Sequence, residues 1–276
     1  MYTELTIKFS PFTEEYSDII IALLGEIEYE SFTTSQNLIK AYISSKNFNF
    51  ELAKETLNVL KEISVDLSFE NIEKQNWNAL WESNFKPVFI GKDCIIHAPF
   101  HSDLPKVKYE IVIEPKMSFG TGHHETTSLV TEYVLQIDFT NKTVLDMGCG
   151  TGVLAILASM RNAKEVTAID YDEWSYLNTV ENFERNNITN FKAWHGDFDS
   201  IHGLKFDIVL ANINRNILSD HAQDLYNVTN ENGEIYMSGF YNIDLEIIKN
   251  IYEKVGFKYV SFIEKNNWVS TKLVKN

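Results

Sequence analysis

The sequence predicts an α/β protein in which a largely parallel sheet, covered by helices on both faces, is closed by an antiparallel hairpin and preceded by a small α+β domain. Three observations predict it. From Thr126 onward, short apolar runs alternate with helical stretches across short connections, the order that builds a parallel sheet with helices on both faces. The end of the chain, Lys258–Ile263 and Trp268–Val274 about Lys265-Asn266-Asn267, reads as two strands turning back on one another. Roughly the first sixty residues follow a β-α-β-β-α order of their own.

Leu5, Ile7 and Phe9 alternate with polar residues as in a half-buried strand, and Tyr16, Ile19, Ile20, Leu23 and Leu24 recur at helical spacing. After Gly25, strands are predicted at Ile27–Phe32 and Leu38–Ile43, then a helix from Phe50 to about Leu60 and a last strand near Val65–Phe69. That order is the ferredoxin-like one, and residues 1–63 are taken as a separate domain. Residues 64–91 are expected to link the domains through a helix built on Trp77, Leu80 and Trp81. Phe85-Lys86-Pro87 ends it, because a residue before proline disfavours helix. Residues 92–276 form the second domain.

Its strands are expected at Val88–Ile90 (just ahead of the boundary), Cys94–His97, Tyr109–Ile113, Thr143–Met147, Val166–Asp170, Phe191–His195, Phe206–Ala211 and Glu234–Ser238. Helices fall at Val153–Arg161, Glu173–Asn186, from about Asn216, and up to Val255.

At 276 residues and 44% apolar, the chain can bury a sizeable core. A formal charge of -15 argues against direct nucleic-acid binding, which uses clustered Lys and Arg, and suits a basic partner or simply solubility. The start, MYTELTIKFS, has no signal-peptide pattern, and no apolar run is long enough to span a membrane. Cys94 and Cys149 lack metal-ligand spacing. A monomeric, cytoplasmic protein is expected.

The strongest local signal is Val144-Leu145-Asp146-Met147-Gly148-Cys149-Gly150-Thr151-Gly152, an apolar strand running into three alternate glycines and then a helix. Glycine lets backbone turn sharply and approach a ligand. A dinucleotide site prefers G-x-G-x-x-G, whereas an acid before G-x-G-x-G suits a cationic ligand such as a sulfonium or an amine. Asp170 ends the next strand, twenty-two positions after Gly148. A carboxylate there can accept both hydroxyls of a ribose or cap the following helix, though Asp172 is an equally good cap. Asn212, after Phe206–Ala211, should sit at the carboxyl edge of the sheet, where it can orient an amine or simply form a turn.

Met117-Ser118-Phe119-Gly120-Thr121-Gly122-His123-His124-Glu125-Thr126-Thr127 precedes a helix that Thr126 or Thr127 can cap. The adjacent histidines make a poor metal site, because neighbouring residues project in different directions. Cys149 is read as packing.

Together these residues resemble the bacterial ribosomal protein eleven (large subunit) methyltransferase family, within the class I S-adenosylmethionine-dependent methyltransferases with their Rossmann-like sheet. The specific part is Phe119-Gly120-Thr121-Gly122-x-His124-x-Thr126-Thr127. Trp81 and Phe85-Lys86-Pro87 also fit, while Glu114-Pro115-Lys116 replaces the Asp-Pro-Gly that members often carry. The resemblance implies S-adenosylmethionine as methyl donor and no metal, with cofactor contacts from Thr127, Gly148, Asp170 and Asn212. It also implies substrate recognition by the N-terminal domain; because the sequence offers no convincing general base, Asn212 is expected to act in catalysis by orienting the amine while water takes the proton. The substrate would be the N-terminal α-amine and lysine side chains of the ribosomal protein, methylated up to three times.

Three rivals remain. A same-fold enzyme acting on a small molecule or nucleic acid would be favoured by Asn-Pro-Pro-aromatic, but Ile213-Asn214-Arg215 follows Asn212. A non-catalytic cofactor-binding assembly factor would bind without turnover. A nicotinamide oxidoreductase is disfavoured by the glycine spacing.

Overall fold

The computed structural model describes residues 2–35, 37–72 and 82–276, in two compact units that divide between Phe85 and Lys86.

The first unit holds β1 (Tyr2–Ser10), α1 (Glu14–Gly25), β2 (Ser31–Ser35), β3 (Leu38–Ser44), α2 (Phe50–Leu57) and β4 (Ser64–Ile72). Its sheet has the order β2-β3-β1-β4, antiparallel throughout. The period of two explains why: Leu5, Ile7 and Phe9 stand opposite Phe69, Leu67 and Val65 and share a core with Ile20, Leu24, Ala53 and Leu57 from the helices. Thr13 and Asn49 cap the helices by accepting the Tyr16 and Leu52 N–H groups.

Two expectations shift. The strand placed at Ile27–Phe32 occurs at Ser31–Ser35, because α1 runs on to Gly25 and the chain then turns through Glu28 at positive φ. Ile27 and Tyr29 are apolar because they pack on the core from that turn. The linker expected from residue 64 begins too early, since β4 pairs with β1 over its whole length and belongs to the first sheet. Trp77, Leu80 and Trp81 lie outside the described residues.

The second unit opens with a three-stranded sheet of β5 (Val88–Ile90), β6 (Cys94–His97) and β7 (Tyr109–Val112). Then come α3 (Glu125–Val134), β8 (Thr143–Met147), α4 (Val153–Met160), β9 (Glu165–Asp170), α5 (Glu173–Arg185) and β10 (Phe191–His195). β11 (Phe206–Asn212), α6 (Arg215–Asp220), α7 (Ala222–Val228), β12 (Thr229–Tyr241), α8 (Leu245–Val255), β13 (Phe257–Lys265) and β14 (Trp268–Lys275) complete it. The main sheet has the order β10-β9-β8-β11-β12-β14-β13, parallel from β10 to β12. β14 is antiparallel to β12 and β13, which makes the closing hairpin.

Strand alternation sends neighbouring residues to opposite layers. Val144, Ala168, Ile208 and Leu210 pack with Val130, Leu154 and Phe183 from α3, α4 and α5, while Leu145, Ile169, Val209 and Ala211 pack with Leu218, Leu225 and Ile248 from α6, α7 and α8. Helix α4 is apolar nearly all round because Val153 to Ala158 are all buried.

Strand order runs β8-β9-β10 one way and β11-β12 the other. The reversal opens a crevice at the carboxyl ends of β8 and β11, where open α/β sheets bind ligands. Gly148 and Asn212 lie at those ends.

Candidate active site

The turn after β8 is built from glycines at positive φ, and two of them have no room for a side chain. A Cβ on Gly148 (φ 72°) would lie 2.2 Å from Ile213 Cγ2, and one on Gly150 (φ 57°) 2.2 Å from the Phe119 carbonyl oxygen. Asp170 braces this turn. Its Oδ2 accepts the Gly150 N–H at 2.9 Å and its Oδ1 the Asp172 N–H at 3.0 Å. Two bonds occupy about half of a carboxylate's acceptor sites. Asp172 caps α5, accepting the Ser175 N–H at 3.1 Å, which leaves Asp170 out of that role. Burial pushes the Asp170 carboxyl above its ordinary range, against the backbone N–H groups of Asp172, Gly150 and Tyr171 that favour its charge.

Asp146 points away from the cavity into the layer of α4. Its Oδ2 accepts the Ala155 N–H at 3.2 Å from the first turn of that helix. Complete burial, with the nearby Asp170 charge adding to it, pushes its carboxyl up to about 7. Cys149 is buried beside Thr179, 3.2 Å from its hydroxyl, and burial raises its thiol pKa well above the usual range.

Asn212 ends β11, and its Nδ2 donates to Thr127 Oγ1 at 3.2 Å. Its Oδ1 is buried and meets no donor. A buried acceptor without a partner costs about 1–3 kcal/mol, so this oxygen is poised for a donor from a ligand. Thr127 sits in the first turn of α3 rather than capping it. The cap is His124, whose Nδ1 accepts the Thr126 N–H at 3.3 Å. The two neighbouring histidines are thus used separately: His123 Nε2 lies 2.9 Å from the Lys86 carbonyl oxygen and its Nδ1 3.1 Å from Thr121 Oγ1.

A cavity of about 750 Å³ joins these parts, with Gly148, Gly150, Asp170 and Asn212 on its wall. Thr127 touches the site through Asn212, and its neighbour Thr126 lines the cavity. The lining carboxylates, Asp170, Asp172 and Asp197, come from the ends of β9 and β10. The opposite end, toward β12 and β14, is lined by Asn212, His124, Phe119 and Trp268.

Sequence reasoning gave no functional place to Trp268, Gly239 or the Phe198–His221 ring stack, which has centroids 3.9 Å apart. Gly239 had a signal: a glycine within a strand pattern marks close backbone approach, and a Cβ there would lie 2.0 Å from the Ile213 carbonyl oxygen. Trp268 read only as a strand residue, because pairing across β12, β14 and the α3 cap brings it to the cavity.

The family model described as "Ribosomal protein L11 methyltransferase (PrmA)" matches residues 13–276. A ribosomal protein L11 methyltransferase of Bacteroides fragilis is 43% identical, and one of Phocaeicola vulgatus 44%, each alignment covering 99% of both chains. The crystal structure of a ribosomal protein L11 methylase from Lactobacillus delbrueckii subsp. bulgaricus superposes with a TM-score of 0.64 at 26% identity, over 69% of this chain and 99% of that one.

Proposed function

We propose that this chain, which belongs to the ribosomal protein L11 methyltransferase family, transfers methyl groups from S-adenosylmethionine to amino groups of ribosomal protein L11. One observation carries the reading. A single cavity holds a half-satisfied carboxylate and a glycine turn at one end, and a buried, unpartnered Asn212 Oδ1 at the other.

The residues fit that methyl donor. Asp170 keeps acceptor sites for two ribose hydroxyls, and Gly148 and Gly150, which line the cavity, bring bare backbone to its wall at positions where the packing of Ile213 and Phe119 admits no side chain. When bound, S-adenosylmethionine supplies a methyl group already activated on a sulfonium, so the protein's main task is to place a neutral amine in line with it. Asn212 Oδ1 accepts an amine N–H and fixes the direction of the nitrogen lone pair, while the Thr127 hydroxyl holds the amide.

Deprotonating lysine costs roughly 3.4 kcal/mol more than deprotonating an α-amine, and the apolar end of the cavity lowers that cost by disfavouring the ammonium. No carboxylate lines that end among the described residues, and the Nδ1 of His124 there already accepts the Thr126 N–H, which leaves water to take the proton. The N-terminal α-amine and lysine side chains are the acceptors in this reading. The first unit, with fourteen acidic residues against six lysines over residues 1–85, recognises the ribosomal protein. The enzyme acts as a cytoplasmic monomer and touches no nucleic acid directly, in keeping with its net charge. Among the described residues no helix is long and apolar enough to cross a membrane.

The test is intact-mass spectrometry of purified ribosomal protein L11 incubated with the enzyme and labelled S-adenosylmethionine. Steps of one to three methyl groups, lost with Asp170→Ala, are expected. Cofactor binding without transfer to this protein would move the assignment to another substrate or to a binding role.

A further inference from the structure

The amine end of the cavity is walled by rings in mutual contact. Trp268 meets His124 edge-on at 4.7 Å between centroids, and His124 stands 5.4 Å from Phe119. Tyr241 does not line the cavity but backs Trp268 at 3.9 Å. Strand register puts this wall beside Asn212, since Asn212 pairs with Ser238 and Ser238 with Ser270, two residues beyond Trp268. The end therefore offers an acceptor without a partner, Asn212 Oδ1, and a set of aromatic surfaces.

Repeated methylation changes which of the two an amine can use. In each round the nitrogen lone pair forms the N–C bond as the C–S bond breaks; the sulfonium becomes a neutral thioether and the product nitrogen is cationic. A product that retains an N–H gives a proton to water and can react again. The neutral amine entering round one has two N–H groups, in round two one, and in round three none. Asn212 can orient the first two but has nothing to accept from the third. What is left to hold a tertiary amine, and to face the charge that develops on it, is the ring wall.

We propose that Trp268, held by Tyr241 and His124, determines how many methyl groups this enzyme adds. The proposal rests on the reading of the chain as an amine methyltransferase. It predicts opposite biases: losing the ring penalises the last transfer most, and losing the amide penalises the first most.

The experiment is an intact-mass time course on ribosomal protein L11 with S-adenosylmethionine, giving the rates of the three successive transfers for the wild type, Trp268→Phe, Trp268→Leu and Asn212→Ala. Trp268→Leu should lower the ratio of third to first rate by about fivefold to thirtyfold, the size of a desolvated cation–aromatic contact. Trp268→Phe should change it less than about threefold, and Asn212→Ala should raise it. A general loss of folded enzyme slows all three transfers alike and leaves the ratio untouched. If Trp268→Leu does not fold, Tyr241→Leu, which removes only the backing ring, should bias the ratio in the same direction. An unchanged ratio overturns the proposal alone, whereas no transfer by the wild type overturns the functional reading and the proposal with it.

Discussion

Replacing Asp170 tests the nucleoside end of the site, and its size can be worked from the hydrogen bonds already present. The carboxylate accepts the Gly150 and Asp172 N–H groups and has about two acceptor sites left for ribose hydroxyls. Each bond to a charged acceptor contributes about 1.5–3 kcal/mol, so Asp170→Ala should weaken binding by at least ~3 kcal/mol, a hundredfold or more in Kd. Asp170→Asn retains one oxygen but turns an amide nitrogen toward either a backbone donor or a hydroxyl, and should fall between. Isothermal titration with S-adenosylhomocysteine measures the affinities. Because burial raises the Asp170 carboxyl pKa and ribose hydroxyls favour its charged form, wild-type affinity should also fall as pH drops through the carboxyl's raised range. An Asp170→Ala protein that melts like the wild type and binds within about threefold of it would refute the assignment.

Gly150→Ala forces a left-handed conformation costing roughly 1–2 kcal/mol and drives a Cβ into the Phe119 carbonyl oxygen; a lower melting temperature together with weakened cofactor binding is expected, and an unchanged pair of values would count against the turn geometry. Asp146 gives a pH signature. Its folded pKa of about 7 lies above the ordinary 3.8, so the folded state binds the extra proton, and this stabilisation is full below the lower value and lost as pH rises through the higher. The difference corresponds to an upper limit of about 4 kcal/mol. Asp146→Asn should therefore gain stability relative to the wild type between pH 5 and 8, and denaturant melts showing a constant difference would exclude the effect.

The main sheet was legible because its strands are continuous apolar runs bounded by turn residues, and the helices between them carry clear caps such as Asp172 and Asn214. Boundaries were less so. Tyr29 and Ile27 look like strand residues by composition, yet they serve the core from a turn. β12 extends back to Thr229, because a polar stretch, Asn230 to Gly233, continues the strand between apolar segments. The nucleoside end of the site could be read from local patterns, since a glycine turn and a strand-end acid each need only their own neighbours to take shape. The amine end could be read only at Asn212, from its place at the end of an apolar strand. Trp268, Asn212 and His124 lie far apart in the chain, and only the register of β11, β12 and β14 with the cap of α3 makes them neighbours.

The segment from Phe119 to Thr127 joins those two ends, and its residue types follow from that task. The Phe119 carbonyl accepts the Thr151 N–H at 2.9 Å, and the Gly120 carbonyl accepts the Thr151 hydroxyl at 2.7 Å. Gly120 must be glycine, because at φ 105° a Cβ would lie 2.9 Å from that hydroxyl oxygen. The segment is thereby tied to the glycine turn. Its other half reaches Asn212: the Phe119 ring stands by His124, His124 caps α3, and Thr127 in that helix accepts the Asn212 amide. Just upstream, Lys116 pairs with Glu181, and Arg185 bridges Glu114 and Glu181 at 2.8 Å each, fastening the approach to α5. A shift of the glycine turn therefore acts on the Phe119 carbonyl, and the same residue's ring belongs to the aromatic wall of the cavity. The two ends of the cavity, proposed for the nucleoside and for the amine, are thus built on one shared backbone segment.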